Sequence, residues 1–265
     1  MSRCGHRFYI PTTLDVGRTL ELPERISRQL ARVLRLRPGD SIVLFDGRGV
    51  DFVAELQSVQ PDRALAVIRS AQPSRPLPAP PITLLQALLR HDHFDLVIEK
   101  ATELGVVRIV PLRTQRVVVH LDERSTAHRL ARWQRIASEA SEQCGRGVLP
   151  DITAPCSLRD ALGLVAAHRL VVFWEGPDAP SIVRDEFDRT VPVAVAIGPE
   201  GGWAAEEIEF LRHHGAELRS LGPLILRAET AAIAGVAAIR ARTEDEVPGL
   251  TTPPVLGEPR ASASD

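Results

Sequence analysis

Five prolines crowd the ten residues from Gln72 to Pro81: Pro73, Pro76, Pro78, Pro80 and Pro81. Proline lacks a backbone N–H and fixes φ, so this stretch can be neither helix interior nor central strand. It reads as a stiff linker between two regions that must each build a core. The expected organisation is a small domain over 1–72, the linker over 73–81, a larger domain over 82–245 and a disordered tail over 246–265. The tail is expected because its sequence is rich in Pro, Ser, Thr and Gly.

Ahead of the prolines the apolar pattern is short and alternating. Ser41 to Phe45 runs into Asp46-Gly47-Arg48-Gly49, and Val50 to Leu56 alternates again, which predicts a β-hairpin. Ala64 to Ile68 reads as a further strand. Residues 24–36 carry Ile26, Leu30, Val33 and Leu34 at helical spacing. The net charge of the chain is −2, but Arg3 to Asp40 holds eight arginines against four acids. That segment is locally basic, which suits phosphate contact or a solvated face.

Behind the prolines, strands and helices alternate. Apolar strands are expected over 82–89, 107–112, 170–174, 191–197 and 218–221. Helices are expected over 94–104, 126–146, 158–167, 204–214 and 228–240. This order predicts an α/β domain with a parallel sheet. Val191 to Ile197 is apolar throughout, as a strand buried on both faces must be. No apolar run approaches the roughly 20 residues of a membrane-spanning helix. Met1 to His6 has no apolar stretch behind its charges, and Cys4, Cys144 and Cys156 form no close pair. A reduced cytoplasmic protein without a metal site or membrane contact is therefore expected.

Ligands of open parallel sheets bind beyond the carboxyl ends of the strands. Two loops stand out there. One is Ile197-Gly198-Pro199-Glu200-Gly201-Gly202, and the other is Leu221-Gly222-Pro223 running on to Leu226-Arg227-Ala228-Glu229-Thr230. Read alone, each can be a tight βα turn. Neither matches a dinucleotide fingerprint or a P-loop.

Together, the two loops resemble the RsmE family of the SPOUT superfamily, which methylates N3 of a uridine in 16S ribosomal RNA. Arg7-Phe8-Tyr9, Val33 to Asp40 and Leu44 to Gly47 resemble the family's N-terminal PUA-like RNA-binding domain. Lys100 to Val106, Arg132-Trp133 and Glu139 to Arg146 resemble its central and long helices. The resemblance implies a small N-terminal β-barrel and a SPOUT parallel sheet with a C-terminal trefoil knot. It implies S-adenosyl-L-methionine held mainly by backbone of three loops: Phe173-Trp174-Glu175, Ile197 to Gly202, and Leu221-Gly222-Pro223 with Leu226 and Thr230. It also implies a homodimer acting on the small ribosomal subunit.

Arg227 is the expected catalytic residue, stabilising charge on the uracil oxygen, with Glu229 orienting it or accepting the N3 proton. Arg7, Arg32, Arg35, Arg116, Glu139, Gln143 and Arg146 are the candidate RNA contacts. Three departures from the family pattern stand out: Leu224, Ala228, and Arg90-His91-Asp92-His93 where the family has a basic Lys-Gly stretch. His91 and His93 read as a surface loop rather than metal ligands, and His213-His214 as helix-dipole partners. Trp133 reads as core. Trp203 reads either as a cofactor neighbour or as a helix-start contact. Rival readings are ribose 2′-O methylation, a non-catalytic RNA-binding protein, or another nucleotide-cofactor α/β enzyme.

Overall fold

A computed structural model describes residues 6–119 and 122–243. Cys4 and the tail expected over 246–265 lie outside the described residues.

The first region is a five-stranded sheet. Its strands are β1 (Arg7–Tyr9), β2 (Thr19–Leu22), β3 (Ser41–Phe45), β4 (Val50–Val59) and β5 (Ala64–Pro73), in the order β1-β3-β4-β5-β2. β3 and β4 form the expected antiparallel hairpin, and the turn between them places Gly47 and Gly49 at φ of 85° and 83°. The helix α1 (Glu24–Arg28) continues as a π-helical segment (Gln29–Leu34) and sets Ile26 and Leu30 into the core with Phe8, Leu44 and Leu56. β1 and β2 escape a periodicity reading because three or four residues cannot establish a period of two.

The second region is a parallel sheet. Six strands run in the order β12 (Glu217–Arg219), β10 (Arg169–Phe173), β11 (Val193–Ile197), β6 (Ile82–Ala87), β7 (Arg108–Arg113), β8 (Asp151–Ile152), and β9 (Cys156–Ser157) also pairs with β7. Both faces are covered. Val193, Val195 and Ile197 point into a core shared with α2 (His93–Glu103), α3 (Glu123–Cys144) and α6 (Ala228–Arg240). Ala194 and Ala196 point into a second core under α4 (Leu158–Leu164) and α5 (Ala205–His213). That explains why no polar residue interrupts this strand. Trp133 is fully buried against Phe94, with ring centroids 4.6 Å apart. No helix among the described residues is long and apolar enough to cross a membrane.

The proline-rich stretch departs from a simple spacer. β5 runs on to Pro73, and the Ser74 N–H donates to Gly49 O at 3.0 Å. Beyond it the chain is strapped down by Arg240. That guanidinium donates to Pro78 O (3.0 Å), Pro80 O (2.6 Å), Leu104 O (3.1 Å) and Gly105 O (3.0 Å). With no N–H of its own at each proline, the stretch offers carbonyls, and one arginine gathers them.

The two regions meet along α3. Glu142 Oε1 accepts from Tyr9 N–H (3.0 Å) and from the Arg25 guanidinium (2.9 Å). Arg7 pairs with Asp51 and lies over the Phe45 ring. Arg146 is 5% exposed and donates to Thr102 O, Val106 O and Val148 O. Burial among carbonyls, without a carboxylate, pushes its pKa down to about 10. Both guanidinium groups are engaged largely by protein atoms, while Arg7 Nε and Arg146 Nη2 keep no partner and Arg7 also lines the cavity between the two regions. Sequence shows an arginine's charge but not the acceptors that enclose it.

Candidate active site

Phe173 pairs with Ile197, so the carboxyl ends of β10 and β11 lie side by side. A cleft of about 420 Å³ opens there, a size typical of small-molecule sites. One wall is the end of β10 (Phe173, Glu175), a second the loop after β11 (Ile197 to Glu200, and Gly202), and a third the entry to α6 (Leu226, Arg227, Glu229). His93, at the start of α2, closes the cleft.

The loop after β11 is shaped by what lies beneath it. The Trp203 indole is buried and donates from Nε1 to Phe173 O at 3.1 Å. A Cβ on Gly198 would press on that ring at 3.2 Å. Gly202 adopts φ +70°, and a Cβ there would sit 2.7 Å from Glu175 Oε1. Both positions thus need glycine, one for proximity and one for backbone conformation as well. Trp203 is a buttress under the loop and also lines the cleft, so it serves as a packing contact beside the helix start and as a wall of the space.

Neighbouring segments pin the loop. Glu200 Oε1 accepts from Arg90 N–H at 2.8 Å. Arg116 donates to Gly201 O at 2.9 Å. Glu207 reaches back to Ala204 N–H (3.0 Å) and across to Gln115 N–H (2.9 Å). A carboxylate in the first turn of α5 so satisfies two backbone donors at once.

The charged groups of the cleft are treated differently. Arg227 is the residue before α6, with extended backbone, and its side chain is exposed. Among the described residues no hydrogen bond joins it to Glu229. Glu229 is 7% exposed, and its Oε2 has no hydrogen-bond partner among the described residues. It faces His93 Nδ1 at 3.7 Å, itself buried and unpartnered. An unpaired buried carboxylate carries a desolvation cost unless something compensates it.

The residues expected from sequence distribute as follows. Phe173, Glu175, Ile197, Gly198, Pro199, Glu200, Gly202, Leu226, Arg227 and Glu229 line the cleft. Trp174, Leu221 and Gly222 line a smaller hollow of about 70 Å³ that shares Phe173, Glu175 and Leu226 with it. Gly201 packs on Arg116, and neither Pro223 nor Thr230 lines either space. Arg32 and Arg35 are exposed on the β-rich region, Arg35 at φ +53°. Glu139 and Gln143 are exposed on α3, beside a cavity of about 650 Å³ between the two regions. Arg116 belongs to the rim of the cleft. His93, Ile225, Ala228 and Ala231 also line the cleft and were not among the expected site residues. His93 sits near His91 (centroids 6.4 Å apart), which takes φ +51°, a conformation glycine adopts readily. The only available signal was the departure from the family at that turn.

Comparison with known proteins agrees with this architecture. An RNA methyltransferase domain model matches residues 75–240, and an RNA methyltransferase PUA domain model matches 22–69. Ribosomal RNA small subunit methyltransferase E of Synechocystis sp. is 32% identical over 91% of this chain and 78% of its own. The crystal structure of the Neisseria gonorrhoeae protein of the same name, bound to S-adenosyl methionine, superposes with a TM-score of 0.81. It is 35% identical and covers 89% of this chain and 97% of that one. A Legionella pneumophila methyltransferase in complex with the same cofactor gives a TM-score of 0.82 at 33% identity, over 89% and 97% of the two chains.

Proposed function

Since this chain belongs to the family of ribosomal RNA small subunit methyltransferases E, we propose that it transfers the methyl group of S-adenosyl-L-methionine to N3 of a uridine in 16S ribosomal RNA. The observation that carries this reading is the glycine-walled cleft at the ends of β10 and β11. Its apolar lining of Phe173, Ile197, Trp203 and Leu226 suits a planar ring, and its Glu175 and Glu200 carboxylates suit a cationic ligand. The cofactor fits this donor set, held by backbone that glycine leaves uncovered. When bound, it supplies an electrophilic methyl on a sulfonium.

The protein's own contribution is alignment and charge. Arg227, exposed at the mouth, meets the uracil oxygen on which negative charge grows as N3 loses its proton. Arg32 and Arg35 contact RNA phosphates from the β-rich region, and Arg116, Glu139 and Gln143 add further RNA contacts in this reading. The trefoil threading belongs to the same proposal, and an experimental trace through the Leu221 to Leu226 loop checks it. So does a homodimer, supported by Leu224 and Ile225 standing 78% and 84% exposed beside the cleft. A sedimentation mass equal to one chain refutes the dimer.

Nucleoside mass spectrometry of 16S RNA from a knockout strain, complemented by wild type or Arg227→Ala, tests the activity. Wild type restores N3-methyluridine. Arg227→Ala binds cofactor but methylates about 10²- to 10³-fold more slowly. A ribose 2′-O mark, or cofactor titration without any product, points to the rival readings.

A further inference from the structure

We propose that His93 is the proton acceptor of the methylation and that Glu229 is the residue that positions it. This rests on the uridine N3 reading above and names the base that reading requires.

Uracil N3 carries a proton and is a poor nucleophile while it does. The nitrogen's electron pair forms the new N–CH₃ bond as the C–S bond of the sulfonium breaks, its pair remaining on sulfur as a neutral thioether. The N3 proton must go to a base in the cleft. Arg227 cannot accept it, because a guanidinium has no acceptor lone pair. Glu229 is 7% exposed and lies behind His93. The His93 side chain is 40% exposed, lines the cleft, and turns its buried Nδ1 toward Glu229 Oε2 at 3.7 Å. Both of those atoms lack any other partner among the described residues.

The 3.7 Å gap is longer than a hydrogen bond, and catalytic contacts of this kind tighten when substrate binds. A proton on Nδ1 then donates to the carboxylate and leaves the lone pair on Nε2, toward the open side of the ring. Nε2 takes the N3 proton directly or through one water. The imidazolium that results sits against a buried carboxylate, so the positive charge leaving the sulfonium reappears where an anion awaits it. The other charged groups around His93 are accounted for. On its own turn Asp92 and Asp95 are both engaged by Arg132 of α3. Glu200 holds the Arg90 N–H. The His91 ring centroid is 6.4 Å from that of His93, and Glu175 and Arg227 line the same cleft.

Three measurements on the full chain test this. Calorimetry with S-adenosyl-L-methionine reads cofactor affinity. Single-turnover methylation of unmethylated small subunits is followed from about pH 5 to 9, where histidine titrates. Nitrogen NMR of ¹⁵N-histidine-labelled wild type and Glu229→Gln reads the His93 tautomer without turnover. His93→Gln should bind cofactor within about threefold of wild type yet react about 10²-fold more slowly or worse. Wild type should lose rate toward acid as His93 takes up a proton, and His93→Gln should lack that limb. Wild type should show Nδ1 protonated, and Glu229→Gln should shift the tautomer balance. An active His93→Gln with the wild-type acid limb, or a wild-type His93 protonated on Nε2 alone, overturns the proposal. A wild type that binds no cofactor and marks no RNA overturns the function itself, which is a separate failure.

Discussion

The junction between the two regions and the cleft at the sheet's edge treat their charged side chains differently. At the junction most of the charged groups are answered by protein atoms, although Arg7 Nε and Arg146 Nη2 keep no partner. Arg240 holds four carbonyls, Arg146 three, and Glu142 two donors from the β-rich region. At the cleft, Glu229 Oε2 and His93 Nδ1 face each other unsatisfied, and Arg227 extends into the open. Saturated networks rigidify a structure, whereas unsatisfied groups keep their capacity for a ligand or a proton. An arginine in this chain is thus structural or chemical according to what surrounds it, and its position in the sequence does not say which.

The sharpest way to break the comparison is Arg240→Met. It should lower stability by about 3 to 5 kcal/mol, because four acceptors lose a charged donor and stay buried. Thermal unfolding should show a fall of about 10 °C. A change below about 0.5 kcal/mol would mean the junction is not held as described. Next in size is Gly202→Ala at the cleft. Its φ of +70° and the Glu175 oxygen 2.7 Å from the new Cβ force the loop to move. Cofactor affinity should drop about tenfold, a cost of about 1.4 kcal/mol, with the unfolding midpoint little changed. Calorimetry that finds wild-type affinity would show the loop wall is not the cofactor's contact.

The smallest effect concerns a charge cluster away from both places. Glu217 is held below the usual glutamate range by hydrogen bonds from Arg169, with Arg219 adding to the attraction. A carboxyl lowered on folding stabilises the fold above its unfolded value, and that contribution fades as pH falls through the folded one. Acid titration of unfolding from about pH 5 to 3 should cost wild type no more than about 1 kcal/mol through this group, since it is partly exposed. Glu217→Gln should flatten that part of the curve. An unchanged acid dependence would remove the cluster from the stability account.

Periodicity made the parallel sheet legible. The Val193–Ile197 strand showed itself because both of its faces are buried, and α6 showed itself because its residues 228–240 are almost all apolar. β1 and β2 were not legible, being too short to display a period. The two cleft loops were legible as a pair, through glycines whose need the backbone and neighbours now explain. The partnership of His93 with Glu229 was not, because the residues belong to different helices brought together only by the packing of α2 on α6. Arg146 shows the same limit in reverse: the carbonyls of Thr102 and Val106 that receive it come from distant parts of the chain, which no local pattern announces.

The Arg240 clamp also has a consequence for how the chain is made. Domains fold in order as they emerge during synthesis. The β-rich region and the proline strap leave the ribosome long before α6 does, so the carbonyls of Pro78 and Pro80 wait for Arg240 to arrive. The last helix therefore acts as a latch on the earliest boundary, fastening the proline strap to the parallel-sheet region after α3 has already met the β-rich region.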